Sequence, residues 1–247
     1  MFKREIIVQP SDVSCLGTIK LRNLLNYFQD TAGIAVEAAE GTTSELTSRG
    51  YAWVLTKYEL EFIGNLPSID EKFELMTYHD PNHGYNTLRV FQGMNKGRPF
   101  VWAKTNWLLL DLAAGRPVKP LAHLPEIMNA DAEDIPPEFR AIPAFEAIDM
   151  VSETTRTVSF HDLDYNGHVN NAAYFEWIYD ATPLNFTEYE LRSVAASFRS
   201  GAKFGEGISL SISSMPEDFT FIYELKRSGV SKPSAQFLCS WGARNVR

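Results

Sequence analysis

The sequence predicts an α+β protein that contains two copies of one unit, each a long helix wrapped by an antiparallel sheet. In each half of the chain, one helix-like segment is followed by a run of strand-like segments. A proline-rich stretch at residues 116–150 separates the two halves. Because the apolar stripe of a helix buries itself readily against one face of a sheet, each half is expected to pack as a helix-on-sheet unit.

The first unit, predicted to span residues 1–115, contains the longer helix. Residues 21–39 carry apolar side chains at helical spacing, and Gly41 is the expected stop. Segments rich in aromatic and β-branched residues predict strands, with turns at 81–84 (PNHG) and 95–99 (NKGRP). The predicted strands are 2–8, 51–63, 72–78, 86–93 and 100–111.

Residues 116–150 contain six prolines and an acidic run at 131–134, so they predict an extended linker with at most one helical turn. The second unit, residues 151–247, repeats the order of elements found in the first. Its predicted helix is 171–181, and its predicted strands are 154–160, 193–199, 208–213, 220–226 and 236–244.

Aromatic residues recur between the two halves at falling separations. The matched residues are Tyr27-Phe28 with Tyr174-Phe175 at a separation of 147, Phe62 with Phe198 at 136, and Trp107 with Trp241 at 134. A repeat of this size indicates two copies of one supersecondary unit rather than a solenoid. The second copy is therefore expected to be shorter between its helix and its first long strand.

Composition and charge exclude several classes of protein. The chain has 247 residues, of which 45% are hydrophobic and 22% charged, as in ordinary globular proteins. Its net charge of −8 argues against a nucleic-acid binder or an anionic-membrane binder, since both need a basic surface. Cys15 and Cys239 are too few for a disulfide framework, and the N-terminus lacks the apolar region of a signal peptide. We therefore expect a cytoplasmic protein.

No metal or organic cofactor is expected. The two cysteines cannot form a cysteine-rich zinc site. His79 and His83 flank the turn predicted at 81–84, and no third ligand nearby completes a metal site. We interpret both histidines as turn residues.

One segment, 161–174 (HDLDYNGHVNNAAY), concentrates chemically active side chains between a predicted strand and a predicted helix. Gly167 permits a tight turn, and Asn170 or Asn171 is a good N-cap for the helix. An imidazole, a carboxylate and backbone donors at one helix start are suited to acyl transfer. The alternative is a polar loop whose side chains only cap the helix. The polar side chains are Asp162, Asp164, Asn166, His168, Asn170 and Asn171.

The same segment resembles a known family. The pattern D-x-N-x-H-V-N-N-x-x-Y at 164–174 is similar to the signature of the acyl-ACP thioesterases, which hydrolyse fatty acyl-[acyl carrier protein]. The resemblance extends to the first helix (24–32), the segment 53–62, Trp107 and the proline-rich connector. It implies two hotdog units in tandem, which agrees with the internal repeat.

The resemblance implies that Asp164, Asn166 and His168 are catalytic. By their chemistry, His168 polarises or deprotonates the attacking water, and Asn166 holds a reacting group through its amide. Asp164 either orients the site electrostatically or acts as base or nucleophile. A backbone N–H near the helix start is the expected donor to the thioester oxygen.

The sequence departs from the family at one position. The family commonly places a Glu, sometimes followed by Cys, after the next long strand, where this chain has Gly201 and Ala202. A fourth catalytic group is therefore absent or supplied elsewhere. Glu176 is a candidate auxiliary residue, although a solvent-facing or capping Glu is the more common role for such a position. Glu206 is a weaker candidate because it resembles a turn residue.

Substrate and partner are also implied by the resemblance. The interior of the first unit is expected to bind the acyl chain, with Leu25, Phe28, Trp53 and Leu55 as binding residues. Basic residues in the C-terminal half form either a face that steers an acidic carrier protein or an ordinary solvated surface. They are Arg192, Arg199, Lys203, Lys226, Arg227, Lys232, Arg244 and Arg247.

The resemblance therefore predicts hydrolysis of fatty acyl-ACP thioesters to free fatty acids in fatty acid biosynthesis, with acyl carrier protein as the partner. No nucleic acid or membrane partner is expected, and the sequence allows a homodimer without requiring one. Two alternatives stay open, which are an acyl-CoA thioesterase and a non-catalytic acyl-binding module. Absence of the family Glu at Gly201 favours the second alternative.

Overall fold

The structure is a computed structural model that describes residues 1–40, 43–124, 135–145 and 150–244. It divides into two compact units, residues 1–139 and 140–247. Each unit contains one long helix and an antiparallel sheet, as the sequence predicted. No helix in the described segments combines the length and apolar character that crossing a bilayer requires.

The elements of unit 1 are β1 (Phe2–Ile7), α1 (Leu21–Glu40), α2 (Thr43–Ser48), β2 (Tyr51–Phe62), β3 (Lys72–His83), β4 (Asn86–Asn95), β5 (Arg98–Asp111), β6 (Arg116–Val118) and α3 (Pro120–His123), with a 3-10 turn at Pro10–Asp12. The helix α1 packs on a sheet with strand order β1-β3-β4-β5-β2, and β6 pairs with the C-terminal end of β5. Leu24, Leu25 and Phe28 of α1 are almost fully buried, and the ring of Phe28 stacks on Phe91 of β4 at 4.9 Å.

The elements of unit 2 are β7 (Met150–Thr157), α4 (Asn171–Ala181), β8 (Tyr189–Phe198), β9 (Gly207–Ser214), β10 (Thr220–Arg227) and β11 (Ala235–Ala243), with a 3-10 turn at Phe160–Asp162. This unit repeats the helix-on-sheet arrangement of unit 1, with strand order β8-β11-β10-β9-β7. Phe175 of α4 meets Phe237 of β11 edge to face at 5.1 Å, and both are fully buried.

The internal repeat is confirmed in the strands but was misaligned in the helices. Ile63 N–H donates to the Phe100 carbonyl, and Arg199 N–H donates to the Ser234 carbonyl at the equivalent place in unit 2. The donors are 136 residues apart in the sequence and the acceptors 134, as predicted. The helices begin at Leu21 and Asn171, a separation of 150 rather than the predicted 147. The predicted match between the helices was therefore off by three residues, which is close to one helical turn. The aromatic residues that were matched lie on similar faces of their helices, but one turn apart.

The turn predicted at 81–84 is confirmed only at its last residue, because it lies at residues 84 and 85. Strand β3 continues to His83, and its pairing with β4 shifts register between Asp80 and His83. Pro81 is tolerated in the strand because it lies within this irregular stretch. His79 is buried inside β3 opposite Arg89, and His83 Nε2 lies 2.9 Å from Asp80 Oδ2.

The second unit also departs from several predicted strand boundaries. Strand β8 begins at Tyr189, four residues before the predicted start. The strand predicted at 154–160 begins earlier, at Met150, and ends at Thr157. Phe160 instead starts the 3-10 turn. Strand β11 ends at Ala243, one residue before the predicted end.

Part of the predicted linker packs against unit 1. Ile135 N–H donates to Asp80 Oδ2 at 3.1 Å. The buried Lys104 ammonium donates to the carbonyls of Pro136 and Glu138 and lies 4.7 Å from the Phe139 ring centroid. These contacts lie on the sheet face opposite to α1, so residues 135–139 are packed rather than extended freely. The acidic run at 131–134 and the stop predicted at residue 41 lie outside the described residues.

Candidate active site

The segment predicted to carry the chemistry forms a closed loop before α4. In this motif loop (residues 159–170), Leu163 and Val169 form an isolated β-bridge. Asp164 N–H donates to the His168 carbonyl at 2.7 Å, and Gly167 N–H donates back to the Asp164 carbonyl at 3.0 Å. Gly167 has a φ of +74°, which glycine adopts without strain. Asp164 and His168 are thus brought together at the base of one turn.

The Asp164 carboxylate takes part in closing this turn. Its Oδ1 accepts hydrogen bonds from the backbone N–H of Asn166 at 2.8 Å and of His168 at 3.3 Å. Both bonds use the same oxygen, so Oδ2 takes no part in closing the turn. Asp164 and His168 are half-buried and Asn166 is exposed at the tip. The three predicted catalytic residues therefore lie on one short turn that solvent reaches.

Asp162, two residues earlier, is a structural residue. It is buried, and its Oδ2 accepts from the Ser159 N–H at 2.8 Å and the Ser159 hydroxyl at 2.6 Å. Burial alone would raise the pKa of the Asp162 carboxyl, but the Ser159 hydrogen bonds and the charge of Arg156 lower that pKa overall. Its carbonyl also accepts from Asn170 N–H at 2.8 Å. Asp162 thus ties the start of the motif loop to the start of α4.

Seven backbone N–H groups near this helix start, where the donor to the thioester oxygen was predicted, already donate hydrogen bonds within the protein. The N–H groups of residues 166–170 all donate to protein oxygens. The N–H groups of Ala172 and Ala173 donate to the side chain and carbonyl of Asn170, which is the N-cap. These seven groups are already engaged, and the exposed Asn166 amide is a further candidate for holding the substrate oxygen.

Gly201 lies directly beside the imidazole of His168. Val169 N–H donates to the Ala202 carbonyl at 2.9 Å, which ties the segment after β8 to the motif loop. A Cβ placed on Gly201 would lie 2.9 Å from Cδ2, 3.0 Å from Cγ and 3.1 Å from Cβ of His168. The position where the sequence departs from the family is therefore in contact with a predicted catalytic residue.

The two glutamates considered as auxiliary groups differ in their surroundings. Glu206 closes a turn, since its Oε2 accepts from the Lys203 N–H at 2.9 Å and its Oε1 lies 3.7 Å from Arg227. Glu176 is half-buried on α4, and its charge adds to the effect of burial in raising the pKa of Asp180, one turn further on. Glu206 thus has a structural explanation, whereas Glu176 stays a candidate auxiliary residue.

Unit 1 contains a second copy of the motif loop without its chemical groups. In this sister loop (residues 9–20), Ser14 N–H donates to the Thr18 carbonyl at 2.9 Å, and the loop glycine again has a φ of +74°. At the separation of 150 set by the helix starts, Ser14, Leu16 and Thr18 occupy the positions of the three predicted catalytic residues. The backbone is thus repeated, but the carboxylate, the amide and the imidazole are not.

Two acidic residues are repeated together with the backbone. Asp12 accepts from Gln9 N–H at 2.8 Å, as Asp162 accepts from residue 159. Glu71 accepts from Ser68 N–H at 2.9 Å, as Glu206 accepts from residue 203. Because these acids recur in unit 1, whose sister loop lacks the catalytic groups, we interpret them as structural. The sequence did not predict the sister loop, although the recurrence of Asp12 and its loop glycine 150 residues later was a visible signal.

Three of the four residues predicted to bind the acyl chain lie in the interior of unit 1. Leu25, Phe28 and Leu55 are at most 4% exposed. Trp53 is half-buried and packs instead against the cluster of Leu46, Leu109 and Leu124. The sheet face under α1 also holds polar groups.

Polar side chains on this face were not predicted from the sequence. Arg89 is 6% exposed and donates from Nη1 to Thr77 Oγ1 at 3.1 Å. Thr77 is fully buried, and its hydroxyl donates to the Val90 carbonyl at 2.8 Å. The interior of unit 1 is therefore not uniformly apolar.

Many of the basic residues in unit 2 are paired with acids. Arg192 and Arg244 lie 2.9 Å and 3.4 Å from Glu190. Lys226 lies 2.5 Å from Glu224, and Arg227 lies near Glu206. Lys203 and Lys232 are exposed, whereas residue 247 lies outside the described residues. Ion pairing of this kind reduces the steering field that the basic residues provide.

Family models match almost the whole chain. The model described as the acyl-ACP thioesterase N-terminal domain matches residues 1–128, and that of the C-terminal domain matches residues 145–241. A palmitoyl-acyl carrier protein thioesterase of Cuphea hookeriana is 24% identical over 220 residues, which are 81% of this chain and 51% of the relative. An oleoyl-acyl carrier protein thioesterase 2 of Arabidopsis thaliana is 22% identical over 223 residues, 80% of this chain and 59% of the relative. The chain thus spans about half the length of the curated relatives it matches.

Solved structures agree on the fold. An acyl-ACP thioesterase from Bacteroides thetaiotaomicron superposes with a TM-score of 0.85 at 22% identity, covering 98% of this chain and 97% of that one. The 12:0-ACP thioesterase from Umbellularia californica superposes with a TM-score of 0.85 at 16% identity and the same coverage. Together with the two family models, these likenesses show that the chain belongs to the acyl-ACP thioesterase family and has its fold of two hotdog units in tandem.

Proposed function

We propose that the protein hydrolyses fatty acyl-acyl carrier protein thioesters and releases free fatty acids. One observation carries the proposal. The two units contain the same loop, yet only the motif loop has a carboxylate, an amide and an imidazole at positions 164, 166 and 168. Membership of the acyl-ACP thioesterase family and the printed activities of its relatives support the same reaction.

His168 is proposed to activate the water. Its imidazole takes a proton as the water oxygen bonds to the thioester carbonyl carbon. The C–S bond then breaks, and the thiol of the carrier leaves with the proton that the imidazole returns. General acid–base catalysis of this kind contributes about 10²–10⁴-fold to a rate.

Asp164 and Asn166 are proposed to support this step from the same turn. The Oδ2 atom of Asp164, which takes no part in closing the turn, stabilises the imidazolium electrostatically or acts directly as base or nucleophile. The Asn166 amide donates to the carbonyl oxygen as negative charge develops on it. Thioesters are activated acyl groups, so this small set is expected to be sufficient without a carboxylate at position 201.

The acyl tail is proposed to lie in the interior of unit 1. The support is the buried apolar surface of Leu25, Phe28 and Leu55 along α1 and β2. Trp53 packs in a neighbouring cluster, and it is proposed to contribute to acyl-chain binding through that cluster. Burial of an acyl chain among such side chains is favourable by about 0.8 kcal/mol per methylene.

A thiol-release assay with purified protein and an acyl-ACP tests the proposal. Matched variants take their residues from the sister loop, namely Asp164→Ser, Asn166→Leu and His168→Thr. Because the sister loop closes with those residues, the variants are expected to stay folded while losing activity. Wild-type protein that releases no thiol at micromolar concentration, yet binds acyl chains, would establish the acyl-binding module instead.

The carrier is tested separately. With one acyl chain, kcat/KM is compared between the carrier-protein thioester and the CoA thioester. We expect the carrier-protein thioester to react faster, with acyl carrier protein as the partner. Equal or faster turnover of acyl-CoA would identify the protein as an acyl-CoA thioesterase.

The expected cytoplasmic location and the homodimer that the sequence allows are also part of this proposal. Light scattering of the purified protein tests whether it is a dimer.

A further inference from the structure

Gly201 has no requirement for glycine in its own backbone. Its φ lies outside the left-handed region, whereas eight other glycines of the described segments have positive φ. An L-residue would therefore fit the backbone at position 201 without strain. What prevents a side chain there is the imidazole of His168, which leaves no room for a Cβ.

We propose that Gly201 is a positioning residue for His168, because its missing side chain leaves the space in which the imidazole stands. This inference rests on the proposed function, in which the imidazole activates water. It assigns a role to the position at which the sequence departs from the family, and that role is steric rather than acid–base.

Packing is the main constraint on this imidazole. Among the residues that the structure describes, none hydrogen-bonds to a ring nitrogen of His168, whose backbone N–H and carbonyl both bond to Asp164. The ring therefore depends on packing for its position, and Gly201 is close enough that an added Cβ would meet Cδ2, Cγ and Cβ of His168. A wall of this kind fixes an imidazole while leaving its nitrogens available to water.

A side chain at position 201 cannot be accommodated by turning the ring alone. The Cβ of His168 is one of the three contacts, and it moves only with the backbone. That backbone is tied to the opposite segment by the 2.9 Å bond from Val169 N–H to the Ala202 carbonyl. A Cβ at position 201 must therefore shift His168, its imidazole included, by a few tenths of an ångström against this bond. Gly201→Glu introduces the same Cβ, so we expect it to lower activity rather than to supply the missing carboxylate.

In the sister loop, the large and the small residue of the corresponding pair are exchanged. Ile19 N–H donates to the Pro67 carbonyl at 2.9 Å, as Val169 N–H donates to Ala202, so Leu66 corresponds to position 201. There, a large residue at position 66 accompanies the small Thr18, whereas a glycine accompanies His168. In this chain, each loop therefore holds one large and one small residue at this pair of positions.

The test is a double-mutant cycle between Gly201→Ala and His168→Ala, with kcat, KM and thermal unfolding as readouts. In the wild-type background, Gly201→Ala is expected to lower kcat roughly 10-fold with little change in KM, because relief of the 2.9–3.1 Å approaches moves the imidazole by less than the 1 Å misplacement that costs about 10²-fold. In the His168→Ala background, the same substitution is expected to cause no further loss, and its destabilising effect is expected to shrink. The matched control is Gly33→Ala on α1, where a Cβ meets no atom within 4 Å, and we expect it to keep activity.

Equal losses in both backgrounds, or full kcat in Gly201→Ala, would overturn the proposal. A second readout keeps its failure distinct from failure of the proposed function. The Cδ2–Hδ2 NMR signal of His168, assigned by its absence in His168→Ala, is expected to shift in Gly201→Ala and not in Gly33→Ala. This signal reports the position of the imidazole even if no thioester is hydrolysed, and an unshifted signal contradicts the positioning role.

Discussion

Ser14 in unit 1 and Asp164 in unit 2 make equivalent hydrogen bonds. Each side chain accepts one from the backbone N–H two residues further along the chain. The distances are 3.2 Å from Leu16 N–H to Ser14 Oγ and 2.8 Å from Asn166 N–H to Asp164 Oδ1. A hydroxyl is therefore sufficient to close this loop. Closing the turn therefore does not require the negative charge at position 164, which supports the proposal that this charge takes part in the chemistry.

Replacing Asp164 separates the two roles of its side chain. Asp164→Asn and Asp164→Ser both keep an acceptor for the turn, so both proteins are expected to fold. Each is expected to lower kcat/KM at least about 10²-fold, or roughly 2.7 kcal/mol of transition-state stabilisation, because the charge is lost. Steady-state hydrolysis of an acyl-ACP measures this. Full activity in Asp164→Asn together with a strong loss in Glu176→Gln would move the catalytic carboxylate onto α4.

His168→Thr gives the motif loop the residue that the sister loop has at the matching position. We expect kcat to fall by about 10²–10⁴-fold, the usual contribution of a general base. The midpoint of thermal unfolding is expected to change little, because the imidazole is held by packing at the surface. Thr18→Ala in the sister loop is the matched control and is expected to keep activity. Near-normal turnover in purified His168→Thr would exclude this residue as the base.

The fold could be predicted from the sequence because its signals are local. The 3.6-residue spacing in the two helices and the aromatic and β-branched runs in the strands depend on each segment alone. Helix α4 begins and ends at the predicted residues, Asn171 and Ala181. The extension of β3 to His83 could not be predicted, because an irregular register there tolerates Pro81. The packing of residues 135–139 depends on the buried Lys104, a tertiary contact that no local pattern shows.

The candidate site could be predicted only in part. Asp164, Asn166 and His168 stand out by their chemistry, but Asp162 stands out equally and proves to be structural. The sister loop could not be recognised in the sequence, because the serine, leucine and threonine at its matching positions have no distinctive chemistry. Contact between Gly201 and the imidazole joins segments more than 30 residues apart in the sequence, so only the folded chain reveals it.

Phe28 is expected to influence which acyl chains are accepted. Phe28→Leu keeps an apolar side chain on α1 but removes the ring that stacks on Phe91 at 4.9 Å, so it enlarges the interior of unit 1. We expect the preferred chain length to change while kcat for the best substrate stays within about threefold of wild type, because the motif loop is untouched. Competition among acyl-ACPs of several lengths, with gas chromatography of the released acids, measures this preference. An unchanged profile would place the acyl tail elsewhere.

Glu71 is expected to link stability to pH. Its carboxylate accepts hydrogen bonds from Lys96 Nζ at 2.6 Å, Ser68 N–H at 2.9 Å and Asn95 Nδ2 at 3.0 Å. The Lys96 bond makes the largest contribution to lowering the pKa of Glu71 from 4.5 to about 2, and burial opposes it. Because the folded pKa lies below the unfolded one, this stabilisation is complete above pH 4.5 and is lost as pH falls toward 2.

Glu71→Gln therefore is expected to lower the free energy of unfolding by about 1–2 kcal/mol at pH 7, a value reduced from the full shift because the Lys96 ammonium is exposed to solvent. The difference from wild type is expected to shrink as the pH is lowered from 4.5 to 3, since protonation removes the same charge from wild type. Urea unfolding at pH 7, 4.5 and 3 measures it. Glu5→Gln, which removes the exposed pair of Glu5 with Lys72, is the control and is expected to change stability by only a few tenths of a kcal/mol. A constant difference between Glu71→Gln and wild type over this range would show that the charge of Glu71 does not stabilise the fold.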